Sequence, residues 1–148
     1  MATHNPPILT LAGAQTALSA SIQRAQAISV PMNVAVVDAS LHLLAFARMD
    51  GAKLTSVDIA VNKAFTAAGH RVPTSSYKDK VVPGSAVWGI NWTNGGRFST
   101  IGGGVPIVKD GVVVGAVGCS TGTPAQDEDV ATAGVEAVVK SFAPKAKL

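Results

Sequence analysis

The sequence predicts an α+β fold in which an antiparallel sheet carries helices on both faces. Helical and strand-like segments follow one another as helix, two strands, helix, loop, two strands and helix. The second strand is apolar on both faces, which is typical of a sheet that is covered on both sides. The chain has 148 residues and no repeat or linker-like segment, so we expect one domain, residues 1–148.

The first helix and hairpin are predicted from apolar spacing and from a proline. Thr10 can cap a helix whose apolar residues recur every three or four positions. Pro31 cannot continue this helix, which therefore ends near Ser29. Residues 32–38 then form a strand, and residues 39–50 turn back as its antiparallel partner.

The second half of the chain contains the remaining elements. A helix is predicted from about Ser56 to Ala68, with Gly69 placed to end it. Residues 81–98 are rich in Gly, Pro, Trp and Asn and form an ordered loop, and residues 102–120 form a second hairpin around an Asp-Gly turn. Thr123 is the predicted N-cap of the last helix, followed by Pro124 in the first turn and by Gln126, which completes a capping box.

Composition narrows the functional classes. The net charge of +3 is too small to indicate nucleic-acid binding, and no run of about 18 apolar residues predicts a membrane span. Charged residues make up only 14% of the chain, so we expect a homo-oligomer that covers part of the apolar surface. The single cysteine excludes an internal disulfide, and the N-terminus lacks a basic leader. Both observations predict a cytoplasmic location.

Three consecutive glycines, Gly102, Gly103 and Gly104, precede the second hairpin. They lack the closing residues of a P-loop and the spacing of a dinucleotide-binding turn. Successive amide groups at such a corner can bind an anion, which makes the three glycines candidate ligand-binding residues. Glycines also occur where strand and helix pack too closely for a side chain, and both interpretations stay open at this point.

The second helix carries candidate polar residues along one stripe. Lys63, Thr66 and His70 recur at helical spacing, and Lys63 lies within reach of Asp50 at the end of the first hairpin. Lys63 can pair with Asp50 or bind a ligand carboxylate, although a solvated helix lysine is the favoured interpretation. A neighbouring stripe is the better predicted core face: Val57, Val61, Ala64 and Ala68.

Histidine offers the simplest metal ligand. The three histidines are too scattered for a metal-ligand pattern, but one of them can serve as a single axial ligand to a heme iron. His70 is the most accessible candidate because it follows the end of a helix. Its rivals are Met49, Tyr77 and Cys119, and capping of the helix end is the structural alternative.

The loop before the glycines concentrates aromatic and polar side chains. Trp88, Trp92 and Arg97 stand beside two asparagines. Tryptophans next to a guanidinium group can line a binding site for a planar ligand, and Trp88 and Arg97 are the candidate binding residues. The same residue types are enriched at protein interfaces, so an oligomer contact is an equal alternative.

Four motifs together resemble the GlcG/HbpS family of heme-degrading domains, which also occurs as the C-terminal domain of PduO-type proteins. The motifs are RMDGA (48–52), DIAVNKAFTAA (58–68), GGGVPIVKDGVVVGAVGCSTG (102–122) and DEDVATAG (127–134). The resemblance implies a profilin-like three-layer α/β/α fold with a central antiparallel sheet of about five strands. It also implies assembly into homo-oligomers, from dimer to octamer.

The resemblance implies a shared pocket formed by Asp50, Lys63 and the glycine run. The first functional hypothesis is binding of heme, another tetrapyrrole or iron, with His70 as metal ligand. The second is a cofactor-free enzyme that acts on a small carboxylated metabolite, with Lys63, Asp50 and His70 as catalytic residues. In that case Thr66, Arg97 and the glycines bind the substrate. A non-catalytic scaffold is the third hypothesis, so whether the protein is an enzyme stays open.

Overall fold

The computed structural model describes residues 1–142. Four helices and four strands make up this part of the chain. They are α1 (Leu11–Ala27), β1 (Asn33–Asp38), β2 (Leu43–Arg48), α2 (Ser56–His70), the single irregular turn α3 (Thr93–Gly96), β3 (Gly104–Lys109), β4 (Val112–Ser120) and α4 (Pro124–Ser141). Two short 3₁₀ turns, Thr74–Tyr77 and Ile90–Trp92, lie between α2 and α3.

The four strands form one antiparallel sheet in the order β2-β1-β4-β3. The expected sheet of about five strands therefore has one strand fewer. All of β1 and most of β4 are buried, whereas β2 lies at an edge and is half-exposed. The apolar residues on both faces of β2 correctly indicate a sheet covered on both sides, but they do not reveal this edge position.

Two hydrophobic clusters show that the fold has three layers. One cluster lies between the sheet and the α1–α4 pair, with Met32, Val36 and Val117 at its centre. The other lies between the sheet and α2, where alanines of the helix contact Ala35 and Ala116. The small side chains let α2 approach the sheet closely. The predicted α+β fold with helices on both faces is confirmed.

Helix ends agree with the sequence in two cases and differ in one. The Thr10 hydroxyl accepts the Gly13 amide at 3.1 Å, and Thr123 forms the predicted capping box with Gln126. The second helix, however, continues through Gly69 to His70. Arg71 adopts the left-handed conformation that was expected of the glycine. The prediction that Gly69 ends the helix is therefore wrong.

Candidate functional site

The glycine run divides into two packing positions and one position on a cavity. At Gly104, a Cβ atom would overlap the backbone carbonyl of Lys63. At Gly103, where φ is +129°, a Cβ atom would lie 2.7 Å from the Asp127 Cβ. Both positions therefore exclude a side chain through close packing. Gly102 lies instead on the wall of a cavity, where a Cβ atom would be 3.4 Å from the Glu128 carboxylate.

Lys63 is buried in an ion pair at the centre of this corner. Its Nζ donates to Asp127 Oδ2 at 2.7 Å and to the Cys119 carbonyl at 3.0 Å, and the side chain is 1% exposed. The favoured interpretation of a solvated helix lysine is wrong. The alternative pairing with Asp50 is also not formed, and Lys63 pairs with Asp127 instead.

The buried pair is completed by its neighbours. Asp127 Oδ1 accepts the Gly122 amide at 2.9 Å, so both carboxylate oxygens have a donor. Burial raises the pKa of Asp127, and the Lys63 ammonium group opposes that rise. Burial likewise raises the pKa of the Cys119 thiol, which has no exposed surface. Cys119 is consequently an inert core residue rather than a reactive thiolate.

Asp50 lies apart from Lys63. It is exposed in the turn after β2, next to Gly51, and it forms no ion pair or side-chain hydrogen bond within residues 1–142. The pocket that the resemblance implies is thus divided in this fold: the lysine and two glycines are in the interior, and the aspartate faces solvent.

His70 belongs to an aromatic cluster at the end of α2. Its Nδ1 lies 2.5 Å from the Tyr77 hydroxyl, and its ring packs edge-on against Phe98 at 4.5 Å between centroids. Tyr77 also contacts Phe98 at 5.2 Å. The chain brings Tyr77 back to His70 through the 3₁₀ turn that follows Pro73. His70 itself is exposed, so a ligand can approach it from solvent.

The predicted binding residues Thr66, Arg97 and Trp88 lie in different environments. The Thr66 hydroxyl is buried, donates to the Asn62 carbonyl and accepts the Ser99 amide, both at 2.8 Å. Thr66 therefore fixes the loop to α2. Arg97 is exposed, and its guanidinium carbon lies 3.9 Å from the centre of the Phe65 ring. Trp88 is half-exposed and packs edge-on against Trp92.

Two adjacent cavities lie beside these residues. The larger, of about 540 Å³, is formed by the 3₁₀ turn after α2, the segment before β3 and the start of α4. The smaller, of about 250 Å³, lies along Arg97 and Phe98 and shares Thr100 and Ile101 with the first. The volume of the larger cavity falls in the usual range for small-molecule sites.

Sequence reasoning missed three participants in this region. Asp127 and Glu128 enter the sequence analysis only as part of the DEDVATAG motif, and Ser75 has no role there. The Ser75 hydroxyl donates to Glu128 Oε1 at 3.1 Å, and both residues line the larger cavity. Ser75 and Glu128 are 53 positions apart in the sequence, and Lys63 and Asp127 are 64 positions apart. No local sequence pattern can therefore indicate either contact.

Within residues 1–142, no three His, Cys, Asp or Glu side chains gather as a metal site. In the same range, no helix is both long and apolar enough to cross a membrane.

The fold places this protein in a class of three-layer α+β proteins, and structures of similar proteins have been solved. The Klebsiella pneumoniae protein ORFY superposes with a TM-score of 0.91 at 34% identity, over 94% of this chain and 96% of that one. A PduOC:heme complex superposes with a TM-score of 0.83, also at 34% identity, over 88% of this chain and 94% of that one.

The chain belongs to the HbpS-like family, described as haem degrading protein HbpS-like, whose model matches residues 9–136. A 15.0 kDa Citrobacter freundii protein from the dhaT-dhaS intergenic region is 43% identical over 119 residues. That match covers 80% of this chain and 84% of the relative. The resemblance to the GlcG/HbpS family is confirmed.

Proposed function

We propose that this protein binds heme or a closely related tetrapyrrole. The observation that carries the proposal is the likeness to the PduOC chain solved with heme, which extends over 88% of this chain at 34% identity. Membership of the HbpS-like family supports the same ligand class. The residues around His70 offer what such a ligand requires: an accessible metal ligand, aromatic surface and a cation.

His70 is the axial ligand that we propose. Among its rivals, Cys119 is fully buried, and the Met49 sulfur accepts the Met32 amide at 3.3 Å. The His70 ring is exposed at the end of α2. A planar ligand that arrives from solvent can therefore reach the imidazole without rearrangement of the core.

Tyr77 fixes the orientation of His70 in this proposal. When Nδ1–H donates to the phenol oxygen at 2.5 Å, Nε2 keeps its lone pair for iron. Phe98 supports the imidazole from a second side. Burial raises the pKa of Tyr77, which keeps the phenol neutral near neutral pH. The pair thus holds the imidazole in one orientation, with Nε2 available to iron in the tautomer protonated at Nδ1.

The surrounding loop supplies contacts for the rest of the ligand. Arg97 directly precedes Phe98, and its exposed guanidinium group can pair with a propionate. Trp88 and Trp92 expose aromatic surface from the same loop. Their alternative role, as anchors of a homo-oligomer contact, stays a prediction.

When bound, heme supplies iron-centred ligand binding and one-electron chemistry. The chain's own contribution is to hold the imidazole in one orientation and to pair the ligand's carboxylates. The enzyme hypothesis that uses Lys63 and Asp50 stays a prediction. It is less favoured by the geometry, because the Lys63 ammonium group is already engaged with Asp127 and is 1% exposed.

Hemin titration with absorption spectroscopy tests the proposal. The wild-type protein should shift the Soret band of free hemin, and His70→Ala should weaken binding by at least about tenfold. His42→Ala is the matched control, because His42 is also exposed but lies on the first hairpin. An unchanged hemin spectrum with the wild type would refute heme binding. Equal binding by the wild type and His70→Ala would refute the assigned ligand.

A further inference from the structure

The larger cavity carries a second, independent inference. Its wall combines one carboxylate, one ammonium group and an apolar strip, and it does not include His70, Tyr77 or Arg97. The residues that line it are Ser75, Lys78, Thr100, Ile101, Gly102, Thr123, Pro124, Ala125 and Glu128.

Glu128 differs from the two acidic residues that flank it. Asp127 pairs with Lys63, and Asp129 pairs with Arg24 at 2.9 Å. Glu128 forms no ion pair with any other described residue, and its only hydrogen bond there is from the Ser75 hydroxyl to Oε1. Its Oε2 lies beside Gly102 on the cavity wall. A carboxylate oxygen on a cavity wall that has no donor among the described residues is a good acceptor for a cationic group.

Lys78 supplies the opposite charge on the same wall. Lys78 and Glu128 both line the cavity, yet within residues 1–142 they are not joined by an ion pair. Neither charge is therefore neutralised by the other, and both are available to a ligand in the cavity. Ile101, Pro124 and Ala125 provide apolar surface along the cavity, which suits a short aliphatic stem.

We infer that this cavity binds a small zwitterion, an ω-amino carboxylate whose ammonium group meets Glu128 and whose carboxylate meets Lys78. Gly102 is part of the site because the absence of a side chain leaves the Glu128 carboxylate accessible. The inference does not depend on heme binding, since the two sites share no proposed ligand contact.

A chain-length series tests the inference and measures the spacing of the two charges. The probes are β-alanine, γ-aminobutyrate, δ-aminovalerate and ε-aminocaproate, each titrated to about 20 mM, with butylamine and butyrate as single-charge controls. The readout is the shift of the Ile101, Gly102 and Ala125 amide signals in ¹H–¹⁵N NMR spectra. One probe length should bind at least about tenfold more tightly than either control.

Variants decide whether the assigned charges are responsible. Glu128→Gln keeps an oxygen for the Ser75 hydroxyl, and Lys78→Met keeps an aliphatic stem, so each should fold and lose about tenfold in affinity. Asp129→Asn should bind the same probe as the wild type does, because Asp129 pairs with Arg24 and does not line the cavity. The inference is overturned if no probe shifts the three amides, or if Glu128→Gln and Asp129→Asn bind equally well.

Discussion

Within residues 1–142, two ion pairs connect α4 to the other elements, and they differ mainly in burial. The Lys63–Asp127 pair is 2.7 Å long, with side chains 1% and 3% exposed. The Arg24–Asp129 pair is 2.9 Å long, with side chains 46% and 44% exposed. Because the two distances are similar, the length of the ion pair does not distinguish the two pairs. They are distinguished by the contacts around each pair.

The buried pair constrains its surroundings, and the exposed pair does not. A charge taken out of water must be paired and hydrogen-bonded, and here the Cys119 carbonyl and the Gly122 amide complete the pair. Gly103 must also lack a side chain, because a Cβ atom would lie 2.8 Å from Lys63 Nζ. Water solvates the Arg24–Asp129 pair, which needs no such support.

The strongest test of this comparison removes the cation from each pair. Lys63→Met should lower the free energy of unfolding by about 3–5 kcal/mol, because it leaves the Asp127 carboxylate buried without a counter-charge. Arg24→Met should cost less than about 1 kcal/mol, since water replaces the lost partner. Urea denaturation followed by circular dichroism measures both. Comparable losses in the two variants would contradict the distinction.

A second test separates the packing glycine from the cavity glycine. Gly103→Ala should cost about 3 kcal/mol, because alanine is strained at φ +129° and would collide with the buried pair. Gly102→Ala meets its nearest atoms at 3.4 Å and should cost less than about 1 kcal/mol. Thermal unfolding of the two variants measures the difference. Equal stability of the two alanine variants would mean that the packing around Gly103 is less tight than these contacts indicate.

Local patterns predicted much of the fold. The capping box at Thr123, the Asp-Gly turn and the proline after the first helix each depend on residues close in sequence, and each is found. Gly69 does not end α2, because the helix continues to His70 and Arg71 takes the left-handed cap conformation, which a non-glycine residue seldom signals in sequence. The edge position of β2 could not be read from its apolar pattern, since strand order depends on which distant strands pair.

The candidate site was only partly predictable. Helical spacing correctly placed Lys63, Thr66 and His70 on one stripe, but it could not tell that the stripe faces inward over most of its length. That orientation depends on Asp127, 64 positions away, which makes burial of the lysine possible. Tyr77 is only seven positions from His70, yet its contact requires the intervening turn to reverse the chain.

The smallest expected effect is a pH dependence that only the buried pair should show. Burial raises the pKa of Asp127 in the folded protein, and Lys63 opposes the rise, so Lys63→Met should raise that pKa further. A carboxyl whose folded pKa exceeds its unfolded value binds its proton more tightly when folded. The stability it contributes is therefore greatest below about pH 4 and is lost as pH rises through the folded pKa.

The loss of stability in Lys63→Met should consequently be smaller at about pH 5 than at about pH 8, by about 1 kcal/mol. Urea denaturation of the wild type and Lys63→Met at both pH values measures this difference. Arg24→Met is the control and should show no such change, because Asp129 is solvated. A loss independent of pH would mean that Asp127 has found another cation. Lys53 is the nearest candidate, because its charge already lowers the pKa of Asp127.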